Sequence, residues 1–271
     1  MNTIQLEDKK QYFLISNGNG IKENGTYNSK ISFDLPRFIT KERNILYHTI
    51  KLIHAEIPYS FYIINETNNK LVYINSSNIT KTIIIEIGNY NAYTLQNLIK
   101  SEIIENNDII DITLNNTTGK YTMSSISLFK IDGISSTINS IIGITSDIYT
   151  SIYDNGIFNI VFSFQINLLG TKNIYVKCSL ILDNYNTQGN NQTLSCIAVN
   201  VPPYGLILYS NISDSETLVK NSQTNNFSIE LLDDNNNLIN FNNQNWSITI
   251  EIKTVLLINN YNLSLSEYLN I

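Results

Sequence analysis

From Trp246 to Lys253 apolar and polar side chains alternate without a break. Trp246, Ile248, Ile250 and Ile252 fall on one side of an extended backbone, and Ser247, Thr249, Glu251 and Lys253 on the other. A period of two is the pattern of a strand with one buried face. Upstream, Ile229, Leu231 and Leu232 make another strand-like run. It is followed by Asp233-Asp234-Asn235-Asn236-Asn237, whose short polar side chains bond their own backbone and so predict a reversal. The single Trp of the chain opens the last strand, and its ring is predicted to lie over a core shared with much earlier residues.

The same reading runs back through the chain. Ile31, Phe33 and Leu35 alternate with Ser32 and Asp34 and end at Pro36. Asn44 to Tyr62 is strand-like with apolar residues on both parities, the pattern of a strand buried in part on both sides, and Pro58 ends or bends it. Residues 71–74 and 82–87 pair across Asn75-Ser76-Ser77-Asn78. Leu95, Leu98, Ile99 and Ile103 fall at helical spacing in a helix over 94–104, with Thr94 as its cap. Residues 111–114 and 121–123 flank a turn containing Gly119, 126–131 reads as a strand, and Ile138, Ile141 and Ile142 form a short helix stopped by Gly143. From 157 the pattern is strands alone: 158–166, 174–182, 194–201, 206–209 and 227–231.

These elements predict a mainly β protein, a jelly-roll β-sandwich whose early strands pair with late ones, with an α+β insertion. The predicted boundaries are an N-terminal arm over 1–29, a sandwich from 30–59 and 157–271, and an insertion over 60–156. Two tandem jelly rolls are the alternative. The arm is inferred from the polar, glycine-bearing stretch around Gly18, Gly20 and Gly25.

Composition narrows the function. The 271 residues suffice for a sizeable core, yet only 15% are charged, against roughly 25% in an average domain. Asn, Ser and Thr supply the polarity, so a neighbour can cover this surface while stripping few charges of water. A net charge of −6 argues against nucleic acid held on a basic face. No stretch approaches the roughly 18 apolar residues of a membrane span, and the N-terminus does not read as a secretory signal. Cys178 and Cys196 lie in apolar runs and read as buried thiols rather than a disulfide.

Four stretches taken together resemble the minor capsid or penton proteins of virophages, polinton-like viruses and related large DNA viruses. They are HAEIPYSFYIINETNNKLVY at 54–73, GNYNAYTLQNLI at 88–99, the Gly119-Lys120-Tyr121 hairpin followed by SIIGI at 140–144, and DDNNNLINFNNQNWSITIEI at 233–252. Their order and spacing also match that family. The resemblance implies a jelly-roll subunit of an icosahedral double-stranded DNA virus shell. It implies a homo-oligomer, commonly a pentamer at the five-fold vertices, in contact with the major capsid protein and other capsid subunits. The insertion would face outward, and the protein would be located in the virion capsid and assembled in the host cytoplasm or viral factory.

Candidate chemistry is sparse. His48, His54 and Glu56 share a parity and are metal-ligating types, but positions six apart on a strand are roughly 20 Å apart. These two His are the only ones in the chain, and no nucleophile-elbow motif accompanies them. Asp233, Asn235 and Asn237 imitate the opening of a calcium loop without its glycine or distant glutamate. Gly18-Asn19-Gly20 lacks the flanks of a phosphate loop, and four glycosylation sequons, at Asn24, Asn78, Asn191 and Asn245, lack a secretory context. The expectation is therefore a non-enzyme with no catalytic, cofactor or metal site. The alternative is a carbohydrate- or receptor-binding β-sandwich on a virion surface, using aromatic rings near Asn89-Tyr90 or along 149–153. A hydrolase on the same scaffold lacks convergent acid/base residues.

Overall fold

A backbone amide buried without a partner is costly, and alternating segments satisfy theirs by pairing edge to edge. The computed structural model of the chain describes residues 3–18, 20–23, 25, 27–34, 45–182, 192–213, 215–220 and 226–259. In chain order the elements are β1 (Thr3–Ile15), β2 (Gly20–Lys22), β3 (Lys30–Asp34), β4 (Ile45–Pro58), β5 (Lys70–Ile74), β6 (Thr80–Ile84), α1 (Ala92–Glu105), β7 (Ile110–Asn115), β8 (Lys120–Ser125) and β9 (Lys130–Asp132). They continue with α2 (Asn139–Ile142), β10 (Ile148–Thr150), β11 (Ile152–Asp154), β12 (Ile157–Val161), β13 (Asn173–Cys178), β14 (Thr193–Ala198), β15 (Leu206–Ser210), β16 (Thr217–Leu218), β17 (Asn226–Leu232) and β18 (Ser247–Asn259). The chain divides into two units, one from Met1–Phe61 with Thr171–Ile271 and one from Tyr62–Gly170.

In the first unit one antiparallel sheet has the order β1-β18-β4-β15, with β16 also on β4, and the other the order β14-β13-β17-β3-β2. The pairings are nested. β1 takes β18, β3 takes β17, β4 takes β15 and β16, and β13 takes β14. One long antiparallel ribbon rolled up so that successive pairs fall alternately in two sheets gives this order, and the β18–β4 and β17–β13 pairings seal it. The fold is a jelly roll. Ile50, Leu52, Ile248 and Ile250 from one sheet meet Ile31, Phe33, Val176, Ile229 and Leu231 from the other in a single core. Each such side chain, fully buried, contributes about 1.5–3 kcal/mol relative to exposure.

β1 corrects the expected arm. Residues 3–15 form a strand in unbroken register with β18, from Thr3 opposite Asn259 to Ile15 opposite Ser247. Its alternation is masked because Glu7, Asp8, Lys9 and Lys10 crowd its middle. Gly20, read as a sign of flexibility, is instead a point of close approach, where a Cβ would collide with the Ile31 side chain. Pro36, expected to close β3, and Asn44, expected to open β4, lie outside the described residues.

The reversal after Leu232 is present, with Asp233 accepting hydrogen bonds from the backbone N–H groups of Asn235 and Asn237. It does not deliver β18 to β17, because only a bridge at Leu238 follows it. Residues 239–246 then carry the chain into the opposite sheet, where β18 lies between β1 and β4. Phe241 and Trp246 are buried along this crossing.

The two-sided burial expected of β4 has a different cause. Ile50 and Leu52 face the core, and so do Ala55 and Ile57, while the register against β18 slips one residue between Leu52 and His54. This β-bulge switches the inward parity from even to odd.

In the second unit the sheets run β10-β9-β5-β6 and β11-β12-β8-β7, and α1 packs beside β7. Their pairings are local hairpins joined by β5–β9 and β8–β12, not a nested ribbon, so this unit is not a second jelly roll. Residues 157–170, expected in the sandwich, belong here: β12 pairs with β8, Phe164 N–H bonds Gly143, and Asn167 N–H bonds Ile141. Alternation identifies a strand but not its sheet. The expected strand 126–131 shrinks to β9, and Ile126 is exposed. Leu95, Ile99 and Ile103 of α1 are buried as spaced, but Asn91 is the cap and Thr94 the third residue of a reciprocal capping box. After α2, Gly143 is left-handed, and a Cβ there would strike the Phe164 carbonyl oxygen.

Candidate subunit interface

The outer face of the β1-β18-β4-β15 sheet is built from side chains that the alternation turns away from the core. Across its middle, Glu251 of β18 accepts from Gln11 of β1 at 3.1 Å and pairs with Lys51 of β4 at 3.4 Å. Lys253 reaches Glu216 at 2.6 Å and Glu7 at 3.7 Å, and Thr49 donates to Glu216 at 2.6 Å. For Glu216, burial alone would raise the carboxyl; the bonds from Lys253 and Thr49 outweigh it and hold the carboxyl below its ordinary range. The bond from Gln11, then Lys51, does the same for Glu251, and the bond to Glu216 raises Lys253. These charges neutralise one another within the sheet.

The margin of the same face differs. On β15, Ile207 is buried while Leu206 and Leu208 are 50% and 59% exposed, and Tyr204 and Ile212 beside them are exposed too. At the opposite margin, Phe13 of β1 is 62% exposed. Large apolar side chains thus line both borders of a sheet whose centre is an ion-paired, polar lattice, an arrangement suited to burial against another protein.

The expected site residues are dispersed. The bulge in β4 puts His48 on the core side of the strand's parity, where its Nδ1 lies 2.9 Å from Thr254 Oγ1, while His54 and Glu56 sit on the outer face, 3.5 Å apart. Desolvation lowers the His48 pKa. The three side chains do not converge. Cys178 is buried, and burial pushes its thiol up to about 12; Cys196, expected buried, is exposed on the neighbouring strand, and both are free. Asp234 is occupied as a structural acceptor for Lys172 N–H and the Asn173 side chain. Asn19 and the sequons at Asn24 and Asn191 fall outside the described residues.

In the second unit, Tyr90 donates to the Glu86 carbonyl, and the Tyr149 hydroxyl is engaged by Thr145 and Ser163. Tyr153 is exposed and leans on Phe158, with ring centroids 5.1 Å apart. A groove of about 260 Å³ is lined by Asn75, Asn106, Asp108, Ile109, Ile126 and Leu128. Its one carboxylate, Asp108, already accepts from Tyr73 and Asn75. Sequence reasoning missed the exposed Leu206, Leu208 and Phe13, because a period of two marks which side chains share a face but not whether that face is covered.

No protein-family model matches the chain, and no curated protein matches it. Among solved structures, it is similar to the penton protein of mavirus, with a TM-score of 0.46 and 10% identity over 94% of this chain and 100% of that one. It is also similar to a chain of the Sputnik virophage structure, with a TM-score of 0.41 and 11% identity over 92% of this chain and 98% of that one.

Proposed function

We propose that the chain is a structural subunit of an icosahedral virus shell, at the five-fold vertex or another minor position, acting by packing and not by catalysis. The observation that carries this reading is where the four family-like stretches fall in the fold. They supply Ile57, Tyr59, Phe61, Ile64 and Leu71, then Leu95 and Ile99, then Ile141 and Ile142, then Phe241, Trp246, Ile248 and Ile250, all buried. The resemblance therefore lies in the residues that determine both units, rather than in a surface motif. The low charge density and the apolar margins of the outer sheet support burial against further copies and against a major capsid protein.

The test is co-expression with the major capsid protein of the same virus, followed by purification of particles. The reading requires the chain in the particles at fixed stoichiometry. Its recovery only as a free protein, with particles closed without it, would overturn the reading.

A further inference from the structure

We propose that the outer sheet of one copy continues into the next, β15 of one molecule adding to β1 of a second in an antiparallel ladder, head to tail. The proposal rests on the self-assembly in the reading above and adds the surface that performs it.

The backbone bonds define the free edges. Tyr59 N–H bonds the Gly205 carbonyl and Asn211 N–H bonds that of Ile53, so the odd-numbered residues of β15 face β4. Leu206, Leu208 and Ser210 therefore direct their backbone N–H and C=O outward. Ser16 N–H bonds the Trp246 carbonyl, so in β1 the even-numbered residues face β18, and Gln11 and Phe13 direct both backbone groups outward. Ile15 directs its N–H outward, while its carbonyl already accepts from Gly18 N–H and can join a ladder only as a shared acceptor. Among the described residues neither edge carries another strand.

Such edges are ordinarily guarded by lysine, proline or a bulge. β15 has none of these: it reads Leu-Ile-Leu-Tyr-Ser, in unbroken register with β4. β1 is guarded by charge only in its middle, at Glu7, Asp8, Lys9 and Lys10, and Gln11 to Ile15 carry none.

Polarity, level and chemistry then select a second copy. Each strand in β1-β18-β4-β15 is antiparallel to its neighbour, so the two outer edges run in opposite directions, and a copy placed alongside meets β15 with β1 antiparallel. Following one row across the sheet, Phe13 stands level with Thr249, His54 and Ser210, and Ile15 with Ser247, Glu56 and Leu208. The uncharged C-terminal end of β1, Gln11 to Ile15, therefore lies at the height of β15, and its charged middle lies lower, with Lys9 in the row of Leu218. Joined without shear, the ladder puts Ile15 opposite Leu208 and Phe13 opposite Ser210, diagonal to Leu208, with all four side chains on the outer face.

Two variants of the full chain test this. With Cys196 replaced by serine, Phe13→Cys and Ser210→Cys together are expected to give, on oxidation, a ladder of covalent multimers that collapses on reduction. Partner Cα atoms in such a pair lie about 5.5 Å apart, within disulfide reach. Either cysteine alone is expected to give none. Leu208→Pro removes an N–H that the isolated copy does not use, so its melting temperature should stay near that of the parent. The concentration at half-assembly should rise at least about tenfold, or about 1.4 kcal/mol. Multimers that persist under Leu208→Pro without a covalent ladder would overturn the edge pairing and leave the shell reading standing. A chain that stays monomeric alone, and pairs this edge only with an extended segment of another protein, would overturn it as well.

Discussion

Trp246 donates its indole N–H to the backbone carbonyl of Asn28 at 2.7 Å, across 218 positions of sequence. Its own backbone N–H bonds the Ser16 hydroxyl, so one residue ties the start of β18 to both the end of β1 and the approach to β3. Trp246→Phe keeps most of the apolar volume and leaves the Asn28 carbonyl buried without that donor, a cost of about 1–3 kcal/mol. Trp246→Ala adds a cavity and is expected to cost about 3–5 kcal/mol. Urea unfolding read by circular dichroism checks both values.

Removal of residues 1–15 separates a strand from an arm. Loss of an arm leaves the melting temperature where it was. Loss of β1 strips β18 of one neighbour along its length and takes Leu14 out of the core, uncovering the side chains it packs against. The truncated protein is expected to lose the cooperative transition of the first unit, seen as a red shift of the emission of its single Trp at temperatures where the full chain is folded.

Acid should act in two windows. Desolvation lowers the His48 pKa, so the folded state binds fewer protons there than the unfolded state, and its contribution, complete above the ordinary histidine value of 6.5, is lost as pH falls below it. Glu216 and Glu251 are also depressed, so their contribution is complete above 4.5 and is lost as pH falls from there through their folded values. Melting temperature measured from pH 8 to pH 3 should fall first for His48 and then for the carboxylates. Glu216→Gln should flatten only the second decline.

Asn91 caps α1 by accepting from the N–H groups of Tyr93 and Thr94, while Thr94 Oγ1 accepts from the Asn91 N–H. Asn91→Ala is expected to destabilise the second unit by about 0.5–2 kcal/mol. Hydrogen exchange along residues 92–105 would show it, with protection elsewhere unchanged in the first unit.

Much of this architecture was legible in the chain because strands announce themselves by period. The early-with-late pairing of β4 and β18, the buried Trp246 and the helix between them follow from alternation and helical spacing. Topology beyond that did not. The bulge at Ile53 hid as two-sided burial, since a one-residue slip exchanges faces without changing composition. β1 hid behind four charged residues, and β12 announced a strand without naming its sheet. The candidate interface was less legible still, for Leu208 and Ile207 are equally apolar in sequence and only the folded sheet distinguishes the exposed one from the buried one.

The central claim is that this jelly roll is made to be assembled, and the mass of the protein in native solution tests it most directly. At tens of micromolar the account predicts a closed ring of identical copies, five for a vertex subunit. A strict monomer at every concentration, with and without its major capsid partner, would contradict it.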